Sequence, residues 1–168
     1  MSSTLLDVTK EIKLDHDNVR DLFDRFTAAT DLTEKASLAH TLVREMAVHG
    51  DAEERSVYLD YSILGLAADH NKEDHAEIER LVDAAGKTAV DKPEFAAVIA
   101  RAVTTFLTHC KEEEDEQHPV MRQKLSPQDS DKLARAFLKA RSKVSARSNA
   151  SALQTASFAP LRFAHPQI

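Results

Sequence analysis

Only three glycines and five prolines punctuate the 168 residues. That is too few turn-formers for a series of hairpins, and the Ala-, Leu-, Glu-, Lys- and Arg-rich stretches between them read as helix. A single cysteine, Cys110, excludes an internal disulfide and fits a reducing cytoplasm. With no thiolate pair, zinc-finger-like and iron–sulfur sites are excluded as well. The apolar runs are too short to predict a membrane span. The opening MSSTLLDVTKEIKLDHD turns charged before any leader-like apolar run develops, which argues against secretion. Lys and Arg are nowhere dense enough for a phosphate-tracking surface, and the net charge of −6 points away from a nucleic-acid partner. The length suits one domain with a real core.

What is present is a repeat. HGDAEERSVYL from His49 and HCKEEEDEQHP from His109 share a His-x-x-x-Glu-Glu element 60 positions apart, and LDHDNVRDLFD around His16 is echoed at an offset of 59 by EDHAEIERLVD around His75. Each half is thus a helix with one inward His, followed by a helix carrying His and Glu four apart.

The apolar periodicity places these residues on inner faces. Helix one, about 4 to 29, carries Leu5, Val8, Ile12, Val19, Phe23 and Phe26, with His16 on the same stripe. Helix two, about 33 to 63, aligns Leu38, Leu42, Met46, His49, Glu53 and Val57. Helix three, about 66 to 85, aligns His75 with Ile78, Val82 and Ala85 ahead of a stop at Gly86. Helix four is expected to open near Asp91 with Pro93 in its first turn, and to present Phe95, Val98, Ala102, Phe106, His109 and Glu113 until Pro119 kinks or ends it. Ser126-Pro127 predicts the cap of a short fifth helix, about 127 to 143. From 144 to 168 the composition shifts to Ser, Ala, Asn and Gln and reads as a C-terminal tail, leaving 1–143 as the helical domain.

Residues four apart on a helix lie roughly 40° round and about 6 Å along from each other, so His and Glu at that spacing can share a metal. An unpaired polar group buried on such a stripe costs about 1 to 3 kcal/mol, and a carboxylate more. Metal coordination removes the conflict for His16, His49, Glu53, His75, His109 and Glu113 together. Four imidazoles and two carboxylates exceed one tetrahedral ion and suit two ions, with the glutamates able to bridge. The ligand mix favours iron, with manganese and zinc as competitors. Glu54, Glu112, Glu114, Asp115 and Glu116 read as a solvated face, His40 and His165 as incidental, and Cys110 as a small packed residue.

The order His16, then His49 with Glu53, then His75, then His109 with Glu113, resembles the hemerythrin-like (HHE cation-binding) family, short bacterial type. The likeness covers about residues 10 to 125 and includes Glu54, Glu114 and the closing Pro119. It implies an all-α, up-down antiparallel four-helix bundle, to which the Ser126-Pro127 pair adds the short fifth helix. It also implies two non-haem iron ions, oxo- or hydroxo-bridged, that react with dioxygen, hydrogen peroxide or nitric oxide. Oxygen carriers of that family usually place a His-x-x-x-His pair on the third helix, whereas Asn71 stands four before His75 here. His70 is five residues away and points elsewhere on a regular helix. Tyr58 and His118 hold equivalent places in the two halves; neither lies on the inner face of a regular helix, yet a Tyr58 phenolate becomes a ligand if the helix is distorted there.

The incomplete histidine set favours an oxidoreductase that disproportionates peroxide in a catalase-like way. The alternatives are reversible dioxygen binding or sensing, and iron storage or sensing without turnover.

Overall fold

A computed structural model describes residues 4–154, with the side chains of 4–143. Among the described residues every regular element is helical. Helix α1, Val8–Ala28, is capped by Asp7, whose carboxylate accepts the Thr9 N–H at 3.0 Å, and α2, Leu32–Glu54, is capped in the same way by Asp31. A 3₁₀ turn, Val57–Asp60, and a single-turn helix α3, Tyr61–Leu64, lead to Gly65, whose φ of 69° ends the segment. Then come α4, Asp69–Gly86, and α5, Phe95–Glu112. A π-helical segment, Glu113–Gln117, joins α5 to α6, His118–Lys124, and α7 follows at Pro127–Gln154.

Several boundaries depart from the expected ones. Helix α2 stops at Glu54 because the Ser56 hydroxyl takes the Ala52 carbonyl at 2.6 Å, the acceptor that the Ser56 N–H would use in a continuing helix. That N–H bonds Glu53 instead, and the chain tightens into the 3₁₀ turn. Helix α5 opens at Phe95, after a turn through Lys92 and Pro93. Pro119 does not end its helix. Lacking an N–H and crowding the carbonyl four residues back, it is accommodated by the π widening just upstream, and α6 runs on to Lys124. The Ser126 hydroxyl accepts the Asp129 N–H at 3.1 Å, as the Ser-Pro pair predicts, but α7 continues past 143 to Gln154. The rest of the expected tail, with His165, lies outside the described residues.

Helix α1 packs on α2 and α5, α4 packs on α2 and α5, and α7 lies against α1 and α2. Two apolar clusters result. One gathers Val19, Leu22, Phe26, Leu42, Met46, Ile78, Leu81, Phe95, Ile99 and Phe106; the other gathers Val8, Ile12, Val57, Tyr61, Met121, Leu133 and Phe137. Along α1 and α2 the polar residues His16, His49 and Glu53 fall between the two clusters, so a buried polar layer has apolar packing on both sides.

Candidate metal centre

Six ionisable side chains fill that layer. His16, His49, Glu53 and Glu113 have no exposed surface, and His75 and His109 almost none. The histidines meet in two pairs, with His16 Nε2 3.3 Å from His49 Nε2 and His75 Nε2 3.0 Å from His109 Nε2. Each glutamate reaches both pairs. Glu53 Oε2 lies 3.2 Å from His49 Nε2 and 3.6 Å from His75 Nε2, while Glu113 lies 3.4 Å from His16 Nε2 and 3.5 Å from His109 Nε2. Two groupings of converging donor atoms follow, His16, His49, Glu53 and Glu113, and Glu53, His75 and His109.

The outer nitrogen of every ring faces a carboxylate. His16 Nδ1 is 2.8 Å from Glu114, His75 Nδ1 3.0 Å from Glu54, His109 Nδ1 3.2 Å from Asp74 and His49 Nδ1 3.5 Å from Asp15. Carboxylates only accept, so the hydrogen bonds at His16, His75 and His109 place the proton on Nδ1 and turn each Nε2 lone pair inward, whereas Asp15 stands at ion-pair distance from His49. The pattern follows the sequence repeat. Asp15 and Asp74 immediately precede His16 and His75, whereas Glu54 and Glu114 immediately follow Glu53 and Glu113. Each outer carboxylate serves a histidine on another helix. Glu54 and Glu114 therefore do not belong to the solvated face on which the charge run placed them; the Asp-His and Glu-Glu doublets were the available signal. Asp115, Glu116 and His40 are exposed, and Glu112 is half-buried.

The two interruptions of helical geometry fall where the repeat places Tyr58 and His118. After the 3₁₀ turn, the buried Tyr58 hydroxyl sits 2.9 Å from Glu53 Oε2, 2.8 Å from Glu113 Oε1 and 3.3 Å from His75 Nε2. In the π segment the His118 N–H bonds the Glu113 carbonyl five residues back, which stacks His118 on the face of Glu113. Its ring lies parallel to His16 at 6.1 Å and is buried, with Nε2 unpartnered. Asn71 is buried too. Its amide donates to Glu113 Oε1 at 2.8 Å and to the Tyr58 oxygen at 3.1 Å, and it exchanges hydrogen bonds with Gln117 at 3.0 and 2.9 Å. Tyr61 donates to Gln117 at 2.8 Å. Gln117 and Tyr61 lay outside every sequence pattern, because no periodicity marks a partner delivered by a π segment. His70 is on the surface, away from this network.

Electrostatics separate the groups. Burial disfavours the charged form of His49, but the Glu53 carboxylate and Asp15 outweigh it and hold its pKa at about 10. Burial keeps His75 and His118 below the usual histidine range. Burial, then Glu53 and Glu113, push Tyr58 well up. Burial is opposed at Glu113 by its hydrogen bond with His16 and by the charges of His109, His16 and His49, and its carboxyl falls well below the usual range. Cys110 is buried and its thiol pushed well up, consistent with a packed, unreactive side chain.

The donor set fits metal. Inward lone pairs on four histidines and the two carboxylates make an interior rich in acceptors, where like dipoles at about 3 Å repel unless cations lie among them. Glu53 Oε1 and Glu113 Oε2 have no aligned hydrogen-bond partner despite complete burial, and each orphan costs about 1 to 3 kcal/mol. Cations between the two pairs would satisfy this layer, while the outer carboxylates hold the rings in register.

A protein-family model described as the hemerythrin HHE cation binding domain matches residues 7–121. No curated protein and no solved structure matches the chain.

Proposed function

The chain belongs to the hemerythrin HHE cation-binding family, and from that premise we propose that it is a non-haem diiron protein that disproportionates hydrogen peroxide. In this reading α1, α2, α4 and α5 form an up-down antiparallel four-helix bundle, and α7 closes one side. The observation that carries the reading is the reach of Glu53 and Glu113 to both histidine pairs. His16 and His49 would hold one ion and His75 and His109 the other, with Glu53 and Glu113 each able to reach both. Tyr58, 3.3 Å from His75 Nε2, completes the second position in place of the third-helix histidine.

When bound, the iron pair supplies the two electrons and takes them back, as one peroxide is reduced to two waters and another is oxidised to dioxygen. The protein's own residues prepare that chemistry. The Nδ1 contacts of Glu114, Glu54, Asp74 and Asp15 fix all four imidazoles. Apolar packing on both sides of the layer, including Phe106 at 5.3 Å from the His49 ring, limits water. The Tyr58 hydroxyl donates to Glu53 and Glu113 when no metal is bound and would lose that proton on ligating iron, while the Asn71 amide, paired with Gln117, positions its oxygen. Asn71 is committed to this network, which favours turnover over the carrier reading: its amide occupies the place from which a further imidazole would reach the centre.

The test is to purify the protein, count its iron and measure dioxygen released from peroxide. Two irons per chain with rapid release, both lost in His109→Ala, support the enzyme. A stable coloured dioxygen adduct without turnover supports the carrier, and iron binding with neither property supports storage or sensing. Nitric oxide is a further oxidant to assay on the same preparation.

A further inference from the structure

We propose that His70, Asp74 and Glu112 form a second, surface site for a divalent transition cation, set against the outer side of the buried centre. His70 and Asp74 are four apart on α4, a third His-x-x-x-acid pair in this chain, and Glu112 comes from α5, which packs along α4. His70 Nε2 lies 3.2 Å from Glu112 Oε2 and 3.6 Å from Asp74 Oδ2, and one ligand atom from each of the three falls within 4.8 Å of the others. The triangle is held by two packed helix backbones and not by a loop.

The repeat supplies an independent reason to expect a cation there. In the first half the matching outer carboxylate, Asp15, receives two hydrogen bonds from Arg141 of α7, at 2.9 and 2.8 Å. The first-half positions matching His70 and Glu112 are Glu11 and Ala52. The second half thus sets an imidazole and an added carboxylate where the first uses an arginine. One nitrogen and two carboxylates suit borderline ions such as Fe(II), Co(II) or Zn(II). Side-chain exposures of 65 % for His70, 44 % for Glu112 and 28 % for Asp74 leave room for water to complete the shell and for the ion to exchange. Asp74 Oδ2 is also 3.2 Å from His109 Nδ1, so a captured ion sits one carboxylate away from a histidine of the buried layer.

The site stands on these three residues and does not require the iron reading. Its test is a Co(II) titration of the full-length, iron-loaded protein by calorimetry, with iron counted before and after. The expected result is one Co(II) per chain beyond the interior metal, lost in His70→Ala and weakened roughly tenfold in Glu112→Gln, with iron content and melting temperature as in the wild type. No extra equivalent in the wild type, or the same equivalent in both variants, overturns the proposal. Loss of interior iron in His70→Ala overturns it as well, by making His70 part of the buried centre. A wild-type interior that holds no iron shows in the iron count and counts against the diiron reading alone; the surface site is then read from the Co(II) difference between wild type and His70→Ala.

Discussion

His16, His75 and His109 each divide their work between two nitrogens, Nδ1 held by a carboxylate and Nε2 turned inward, and the single-residue predictions start from that division. Tyr58→Phe removes the hydroxyl set between Glu53 and Glu113 and is expected to abolish a visible phenolate-to-Fe(III) absorption band; a band of unchanged intensity in the variant rules out Tyr58 as a ligand. Glu114 is held at a pKa of about 2 by its hydrogen bond with His16, then by Arg20. Because its folded-state pKa lies below the ordinary 4.5, its contribution is complete above that pH and is lost as pH falls from 4.5 through 2. Urea unfolding midpoints across that range should therefore fall more steeply for the wild type than for Glu114→Gln, and parallel curves would remove Glu114 from the account. The six inner residues were legible in the sequence because ionisable groups on an apolar stripe violate the pattern around them. Their outer carboxylates were not, since an acidic residue beside a helix's inner face reads the same whether it meets water or an imidazole on the next helix.

At the scale of the element, periodicity located the long helices, and local hydrogen-bond competition decided where they stop or widen. Ser56 diverting the Ala52 carbonyl and Pro119 forcing a π segment are side-chain events without a periodic signature, yet they bring Tyr58 and His118 inward. Two glycines show how context sets sign. A Cβ at Gly50 would lie 3.2 Å from the His75 ring, which cannot retreat because Glu54 holds its Nδ1, whereas a Cβ at Gly86 meets nothing within 4 Å. Gly86→Ala is expected to stabilise by about 0.5 to 1 kcal/mol through the lost freedom of the unfolded chain. Gly50→Ala should lower the bound iron instead, even though alanine is the better helix former. Calorimetric melting beside metal counts on both variants checks the contrast; full iron retention in Gly50→Ala would show that His75 can shift.

For the molecule as a whole, the polar layer between two apolar clusters has unpartnered carboxylate oxygens, so bound metal is expected to stabilise the fold. Stripping iron with a chelator is expected to lower the melting temperature by about 10 °C or more, and restoring Fe(II) anaerobically to recover it. An unchanged midpoint would mean that the layer is stable on its own hydrogen bonds. Acid should act in the same direction. Metal needs neutral imidazole, and at His49, raised to about 10 by Glu53 and Asp15, an ion must displace a proton, so iron is expected to be released progressively as pH falls. Iron content unchanged at pH 4 would argue against histidine ligation.

Helix α7 begins after the stretch that matches the family ends, yet it reaches the centre: Arg141 grips Asp15 behind His49, Phe137 lies 6.1 Å from the His49 ring, and Ser130 and Asp131 bond the Val8 and Leu6 N–H groups at the start of α1. A fragment trimmed to the matched span would keep all six inner residues and still lose the wall behind one of them. The smallest working unit of this protein is therefore larger than its family signature, and transplanting the signature alone would carry over the donors without the brace that aims His49.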